Sequence, residues 1–274
     1  ISLHHQRWEA GPEKPNSKWV RKNFRNMKIS TWNLQGNAYN GMCSTVAEAK
    51  SRMLNEGIDV FCLQETGFFQ NEDKEGEVLL SNNSFTLTRD IVIGTKSRGI
   101  KVNRYSLKYG TFNFRCSMSI LVRAELDCNC HALIPSYPNT KTREVFGILV
   151  QDPIDGRQIA VYNIHAPSGN SAFAKAYFQY ALTEIDKLVT QHNISNVVLI
   201  GDFNNNPSMT SEELKNAVTK LRYGIFSPYV GNKMFPTHNS GNCLDYCCAN
   251  LEPHGIVVSD NAAFSDHLQV TFVF

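Results

Sequence analysis

The sequence contains no apolar run near the roughly 18 residues that a bilayer-crossing helix requires, so no membrane span is expected. A charge excess is also missing. Lys and Arg number 27 against 25 Asp and Glu, a formal net charge of +2; this selects no class of partner, because local patches count for more than the sum. No internal repeat is visible, and nothing has the composition of a disordered or fibrous chain. The matched C-x₂₋₄-C pairs of structural zinc sites are absent too, since Cys128-Asn-Cys130-His131 and Cys243-x-x-x-Cys247-Cys248 do not form such a set. The polar N-terminal stretch holds Pro12, Pro15 and several charges, without a hydrophobic period, a signal-peptide core or an initiator Met. Residues 1–26 are therefore expected to be an extension ahead of one domain over 27–274, with any leader already removed.

What is present suits a large core: 42% of residues are hydrophobic and 19% charged. A chain of 274 residues is long for one domain but fits a single α/β sandwich. Eight cysteines, Cys43, Cys62, Cys116, Cys128, Cys130, Cys243, Cys247 and Cys248, form an even set that predicts disulfides in an oxidising compartment. Cys62, inside an apolar run, reads equally well as a buried free thiol. Strand-like and helix-like segments alternate. Met27 to Leu34 predicts a strand, Thr45-Val-Ala-Glu48 a helix start with capping-box spacing, and Gly57 its end. Strands are expected at Asp59 to Gln64, Arg115 to Arg123, Asn196 to Ile200, Leu244 to Cys248 and Leu268 to Phe274. A strand pair is expected at Val145 to Gln151 and Gln158 to Ile164, joined by Asp152-Pro-Ile-Asp-Gly156. Asn170 to Gln191 and Ser211 to Leu221 predict helices. Strands this close in sequence favour mixed sheets flanked by helices over a purely parallel sheet.

Polar residues stand where these strands end. Asn33 follows the first strand, Glu65 the second, His165 the strand beginning at Gln158, and Asp202 and Asn204 the strand beginning at Asn196. Asp245 lies in Cys243-Leu-Asp-Tyr246, and Asp266 and His267 precede the last strand. Strand ends and adjoining loops commonly build active sites in layered α/β folds. The residue types are mutually consistent. A hard cation such as Mg²⁺ takes oxygen ligands and one or two carboxylates, which Glu65 supplies with Asn33 and Asp266 nearby. Two histidines beside carboxylates suit acid–base work near neutral pH, and Arg115 and Arg143 are able to neutralise a phosphate. Taken singly, each Asn or Asp is a common turn former. By spacing alone the set predicts a metal-dependent hydrolase.

At these residues the chain resembles the superfamily of deoxyribonuclease I, exonuclease III-like repair enzymes, inositol polyphosphate phosphatases and neutral sphingomyelinases. The matching stretches are Thr31-Trp-Asn-Leu-Gln-Gly36, Leu63-Gln-Glu-Thr66, Asn163-Ile-His-Ala166, Gly201-Asp-Phe-Asn-Asn205, Leu244-Asp-Tyr246 and Ser265-Asp-His267, in family order. Within it the chain is most similar to the catalytic B subunits of cytolethal distending toxins; the likeness is looser over residues 66–112 and absent over 1–26. The resemblance implies a four-layer α/β sandwich, with two mixed β-sheets packed face to face and helices outside. It implies Mg²⁺, with Mn²⁺ or Ca²⁺ as substitutes, held by Glu65, Asn33 and Asp266. Asp202 would orient or deprotonate water, Asn204 would hold the phosphate, His267 paired to Asp245 would face it, and His165 would serve the leaving oxygen. Arg115 and Arg143, with Asn33, would bind substrate. The implied function is a secreted, toxin-type deoxyribonuclease that nicks DNA inside a target cell, up to the nucleus, with separate delivery subunits. The alternative is a phosphoinositide phosphatase or sphingomyelinase-type enzyme using the same site.

Overall fold

The structure is a computed structural model that describes residues 26–35, 42–66, 77–81, 85–95, 98–107, 116–134, 137–138, 144–207, 212–230, 232–263 and 265–274. Apart from Asn26, the expected extension lies outside these residues, as do Arg115, Arg143 and the side chains of Cys43 and Cys130. The elements in chain order are β1 (Lys28–Asn33), α1 (Met42–Asn55), β2 (Val60–Gln64), β3 (Glu77–Ser81), β4 (Phe85–Ile93), β5 (Ile100–Leu107), β6 (Met118–Arg123), β7 (Cys128–Ile134), β8 (Val145–Gln151), β9 (Gln158–His165), α2 (Ser171–Gln191), β10 (Asn196–Asp202), α3 (Glu212–Lys220), β11 (Gly224–Phe226), β12 (Tyr229–Val230), β13 (Lys233–Met234), β14 (Asp245–Ala249), β15 (Gly255–Val258) and β16 (Val270–Val273). Among the described residues no helix is long and apolar enough to cross a membrane.

Among the described residues two large sheets form, one in the order β15-β16-β1-β2-β6-β5-β4-β3 and the other β11-β14-β10-β9-β8-β7, with β12 and β13 paired as a separate two-stranded sheet. Each large sheet contains one parallel pair, β1 with β2 and β9 with β10. A parallel pair needs a long crossover, and α1 and α2 supply it. Strand periodicity then builds the layers. Ile29, Val60 and Ile120 of the first sheet meet Ile148, Val161, Val198 and Ile200 of the second in one buried core. The intervening residues point outward: Trp32, Phe61 and Leu63 pack with Ala49 and Met53 of α1. Tyr162, Leu199 and Tyr246 pack with Phe178, Leu182 and Ile185 of α2 and Val218 of α3. Helix, sheet, sheet, helix is the expected four-layer sandwich, with mixed sheets.

A polar tie interrupts the central core near one edge. Gln64 Nε2 donates to Asn163 Oδ1 at 2.7 Å, and Asn163 Nδ2 donates to the carbonyls of Leu63 and Ser119. Both side chains are fully buried, and the bonds satisfy groups that would otherwise be costly to desolvate.

Several boundaries differ from expectation. Helix α1 starts at Met42, a turn before the Thr45 cap, because packing of its Ala49–Met53 face outweighs a local cap preference. The strand expected from Arg115 is described from Met118. Cys62, Cys243, Cys247 and Cys248 are buried free thiols rather than disulfides. The neighbours Cys247 and Cys248 point to opposite faces of β14, one into each core, and burial pushes the Cys243 thiol up to about 12.

Candidate active site

Strand register brings the site together. Parallel pairing places the carboxyl ends of β1 and β2 at one edge, with Asn33 opposite Gln64 and Glu65 next in line. In the other sheet Asp202 lies opposite His165 on the parallel side and opposite Asp245 on the antiparallel side. Strand β16 runs antiparallel to β1, so the Asp266-His267 segment before it arrives at the same edge. Parity does the rest. Asn33, His165, Asp202 and Asp245 continue the inward-facing rows of Ile29, Val161, Ile200 and Cys247, so the apolar seam between the sheets turns polar at its end. Asn33 Nδ2 crosses the seam and donates to Asp202 Oδ2 at 2.9 Å.

Asp202 stands between two imidazoles. Its Oδ2 is 3.7 Å from His165 Nε2 and 3.9 Å from His267 Nε2. His165 Nε2 also lies 3.6 Å from Glu65 Oε1. Asn204, at φ 48°, donates its backbone N–H to Asp202 Oδ1 at 2.8 Å. Its amide donates to Asp202 Oδ2 and to the Ala166 carbonyl, which uses both amide hydrogens. Burial pushes the Asp202 carboxyl above its usual range, and the nearby charge of Asp245 adds to that; His267 and the two donated hydrogen bonds only partly offset it.

His267 is held by Asp245, whose Oδ2 is 2.8 Å from His267 Nδ1. That same oxygen accepts from Thr237 Oγ1 at 2.8 Å, and Trp32 Nε1 donates to the His267 carbonyl at 3.0 Å. Burial alone would lower the basicity of His267. The charge of Asp245, its hydrogen bond, and the charges of Asp202 and Asp266 outweigh burial and hold the imidazole up at about 10. At neutral pH the ring is therefore held as a cation, able to stabilise negative charge or to donate a proton.

Carboxylates crowd this edge. The ligand atoms of Asp202, Asp245 and His267 lie within 4.8 Å of one another, as do those of His238, Asp266 and His267. Oδ1 of Asp266 and Oδ1 of Asp245 are buried without a hydrogen bond. Buried anionic oxygens lacking a donor fit a hard divalent cation. Glu65 and Asp266, with Asn33 beside them, are the oxygen donors suited to such an ion. The side-chain oxygen Oδ1 of Asn33 also accepts from Gln35 N at 2.8 Å.

Eight residues singled out from the sequence, Asn33, Glu65, His165, Asp202, Asn204, Asp245, Asp266 and His267, thus lie at one edge of the seam. Arg115 and Arg143 lie outside the described residues. Two site residues escaped the sequence reading, Thr237 and His238. His238 Nε2 is 3.2 Å from Asp266 Oδ2, and its ring meets that of His267 edge-on with centroids 4.5 Å apart. Both residues lie just ahead of a turn, His238 in a lone antiparallel bridge to His267, where no period marks them; the Ser240-Gly241-Asn242 turn chemistry just after them was the available signal.

Residues 30–267 match the Endonuclease/Exonuclease/phosphatase family. Solved structures share the fold. A cytolethal distending toxin structure from Haemophilus ducreyi is 22% identical with a TM-score of 0.66, covering 90% of this chain and 97% of that one. One from Actinobacillus actinomycetemcomitans is 20% identical with a TM-score of 0.67, over 90% and 97%. The human Nocturnin catalytic domain, solved with a bound sulfate anion, is 18% identical with a TM-score of 0.57, over 90% and 92%. A comparison with curated protein sequences finds no match.

Proposed function

The chain belongs to the endonuclease/exonuclease/phosphatase family, a family of hydrolytic phosphoesterases, and from that premise we propose that it is a Mg²⁺-dependent phosphodiesterase that nicks DNA. The observation that carries the reading is the position of Asp202, a buried carboxylate between His165 and His267 at the polar end of the seam. The deoxyribonuclease reading also draws support from the toxin-like stretches Thr31-Trp-Asn-Leu-Gln-Gly36 and Leu244-Asp-Tyr246 and from the fold shared with cytolethal distending toxin structures.

In this proposal Asp202, with its proton affinity raised by burial, accepts a proton from the attacking water or aligns it. Asn33 and Asn204 hold Asp202 in place. His267, kept cationic by Asp245, faces a non-bridging phosphate oxygen and offsets its growing charge. His165 delivers a proton to the departing oxygen. Glu65 and Asp266, with Asn33, would hold Mg²⁺, or Mn²⁺ or Ca²⁺ in its place. The ion supplies Lewis-acid neutralisation of the phosphate when bound. Arg115 and Arg143 are proposed to add positive charge on the substrate side.

The test is a paired assay on supercoiled plasmid and on phosphoinositide vesicles, with Mg²⁺ and with a chelator. Nicked circles that need Mg²⁺ and fade steeply with salt are expected. His165→Ala and His267→Ala should each lower the nicking rate by roughly 10²- to 10⁴-fold. Phosphate release from the vesicles without plasmid nicking would replace the nuclease reading with that of a lipid phosphatase. A folded protein inert on both substrates in Mg²⁺ would end both.

A further inference from the structure

We propose that His238 is a positioning residue for the Asp266 carboxylate, an inference that rests on the reading of Asp266 as a cation ligand. The ring is fixed from behind. Ser240 donates its backbone N–H to His238 Nδ1 at 3.0 Å, and Ser240 Oγ lies 2.7 Å from the same nitrogen. A backbone N–H has no lone pair to offer, so Nδ1 is the acceptor and the ring proton sits on Nε2. Ser240 Oγ itself accepts from Asn242 Nδ2 at 2.9 Å, which leaves its hydrogen free to point at the ring. Nε2, 3.2 Å from Asp266 Oδ2, is thus a donor to it.

The surrounding turn makes this donor rigid. Thr237 N and His238 N both donate to the Asn242 carbonyl, and Gly241 N donates back to the His238 carbonyl. Asn239 N grips the Asp266 carbonyl at 2.9 Å, while Gln35 Oε1 accepts from Asp266 N at 3.2 Å. With Oδ2 engaged by His238, the carboxylate is left with Oδ1, buried, without a hydrogen bond and 3.7 Å from His267 Nε2. By residue type His238, Asp266 and His267 would suit a transition metal. The Ser240 N–H disfavours that, because it occupies the Nδ1 lone pair and keeps the ring proton on the nitrogen facing Asp266. The cluster therefore presents one carboxylate oxygen, aimed by a fixed donor, as outer-shell partners aim metal ligands elsewhere.

The test compares His238→Gln, which keeps a side-chain N–H of similar reach, with His238→Met, of similar bulk but with no donor. Asp266→Asn is the control. The probe is Mn²⁺ alone, titrated into the full chain and followed by the electron paramagnetic resonance of free Mn²⁺. His238→Met is expected to weaken Mn²⁺ binding roughly 10- to 100-fold, and His238→Gln by no more than about threefold. The metal-free melting temperatures of the two variants should agree, which a merely structural role for the ring would not separate from the Mn²⁺ effect. Equal weakening by Gln and Met would overturn the proposal, because the donor would not be what matters. So would wild-type affinity in His238→Met while Asp266→Asn binds weakly; in that case the reading of Asp266 survives. Unchanged affinity in Asp266→Asn would remove that reading and the proposal together.

Discussion

At the scale of single residues, the proton affinity of His267 is the property most open to measurement. Its imidazole is held at about 10 against an ordinary 6.5, chiefly by the charge of Asp245 working against burial. The folded protein therefore keeps a proton that the unfolded chain releases. The stabilisation is complete below about pH 6.5 and is lost as pH rises towards 10. Asp245→Asn removes the leading upward cause. In chelator-treated protein, urea unfolding at several pH values should show wild type losing stability across this window while the variant stays nearly flat. Parallel curves would show that Asp245 does not set the charge of His267. The same variant should lower turnover by roughly 10²-fold or more. These residues were legible in the sequence because a polar side chain that ends an apolar run stands out. His238 was not, since a turn residue acquires its partner only when the loop closes on Asp266.

Elements carry the precision of the site through close backbone approach. Gly201 precedes Asp202, and a Cβ there would lie 2.0 Å from the Ile164 carbonyl oxygen of the neighbouring strand, at a φ of +151°. Nothing in that contact is a flexible side-chain tip, so β10 would have to move away from β9. Gly201→Ala is expected to destabilise the protein by about 3 kcal/mol, read as a lower urea midpoint, and to depress activity more than stability because Asp202 shifts with its strand. A midpoint within experimental scatter of wild type would show that the strands tolerate the separation. The helices and the β8–β9 hairpin were readable from periodicity and from the turn at Asp152, whose Oδ1 accepts from Ile154 N at 2.8 Å. Strands β3, β4, β5, β7, β11, β12, β13 and β15 were not foreseen. A register shift between Thr88 and Ile91, with Asp90 at φ 52°, breaks the alternation of β4, and another lies between Cys128 and Cys130 in β7. A bulge reverses the parity on which strand recognition depends.

For the molecule as a whole, two sheets with equivalent parallel pairs meet so that the acidic ends of both face one seam. The order of the family-like stretches made this architecture legible, whereas no local period reveals that Asn33 and Asp202, from different sheets, share a hydrogen bond. The seam gathers Glu65, Asp202, Asp245 and Asp266, with two of their oxygens buried and lacking hydrogen bonds. Without a divalent ion these charges repel one another, and His267 and the donated hydrogen bonds compensate their desolvation only in part. A divalent ion bound only by the folded state should therefore stabilise the entire fold, by about 2.7 kcal/mol at a hundred times its dissociation constant. That corresponds to a rise in melting temperature of roughly 5–10 °C for a chain of this size. Calorimetry in Mg²⁺, with reversal by chelator, should show the rise, and Glu65→Gln should remove most of it while leaving the metal-free melting temperature near that of wild type. If saturating Mg²⁺ and Mn²⁺ both leave the melting temperature unmoved, the carboxylates do not converge on a cation, and a metal-assisted phosphodiester cleavage at this seam is untenable.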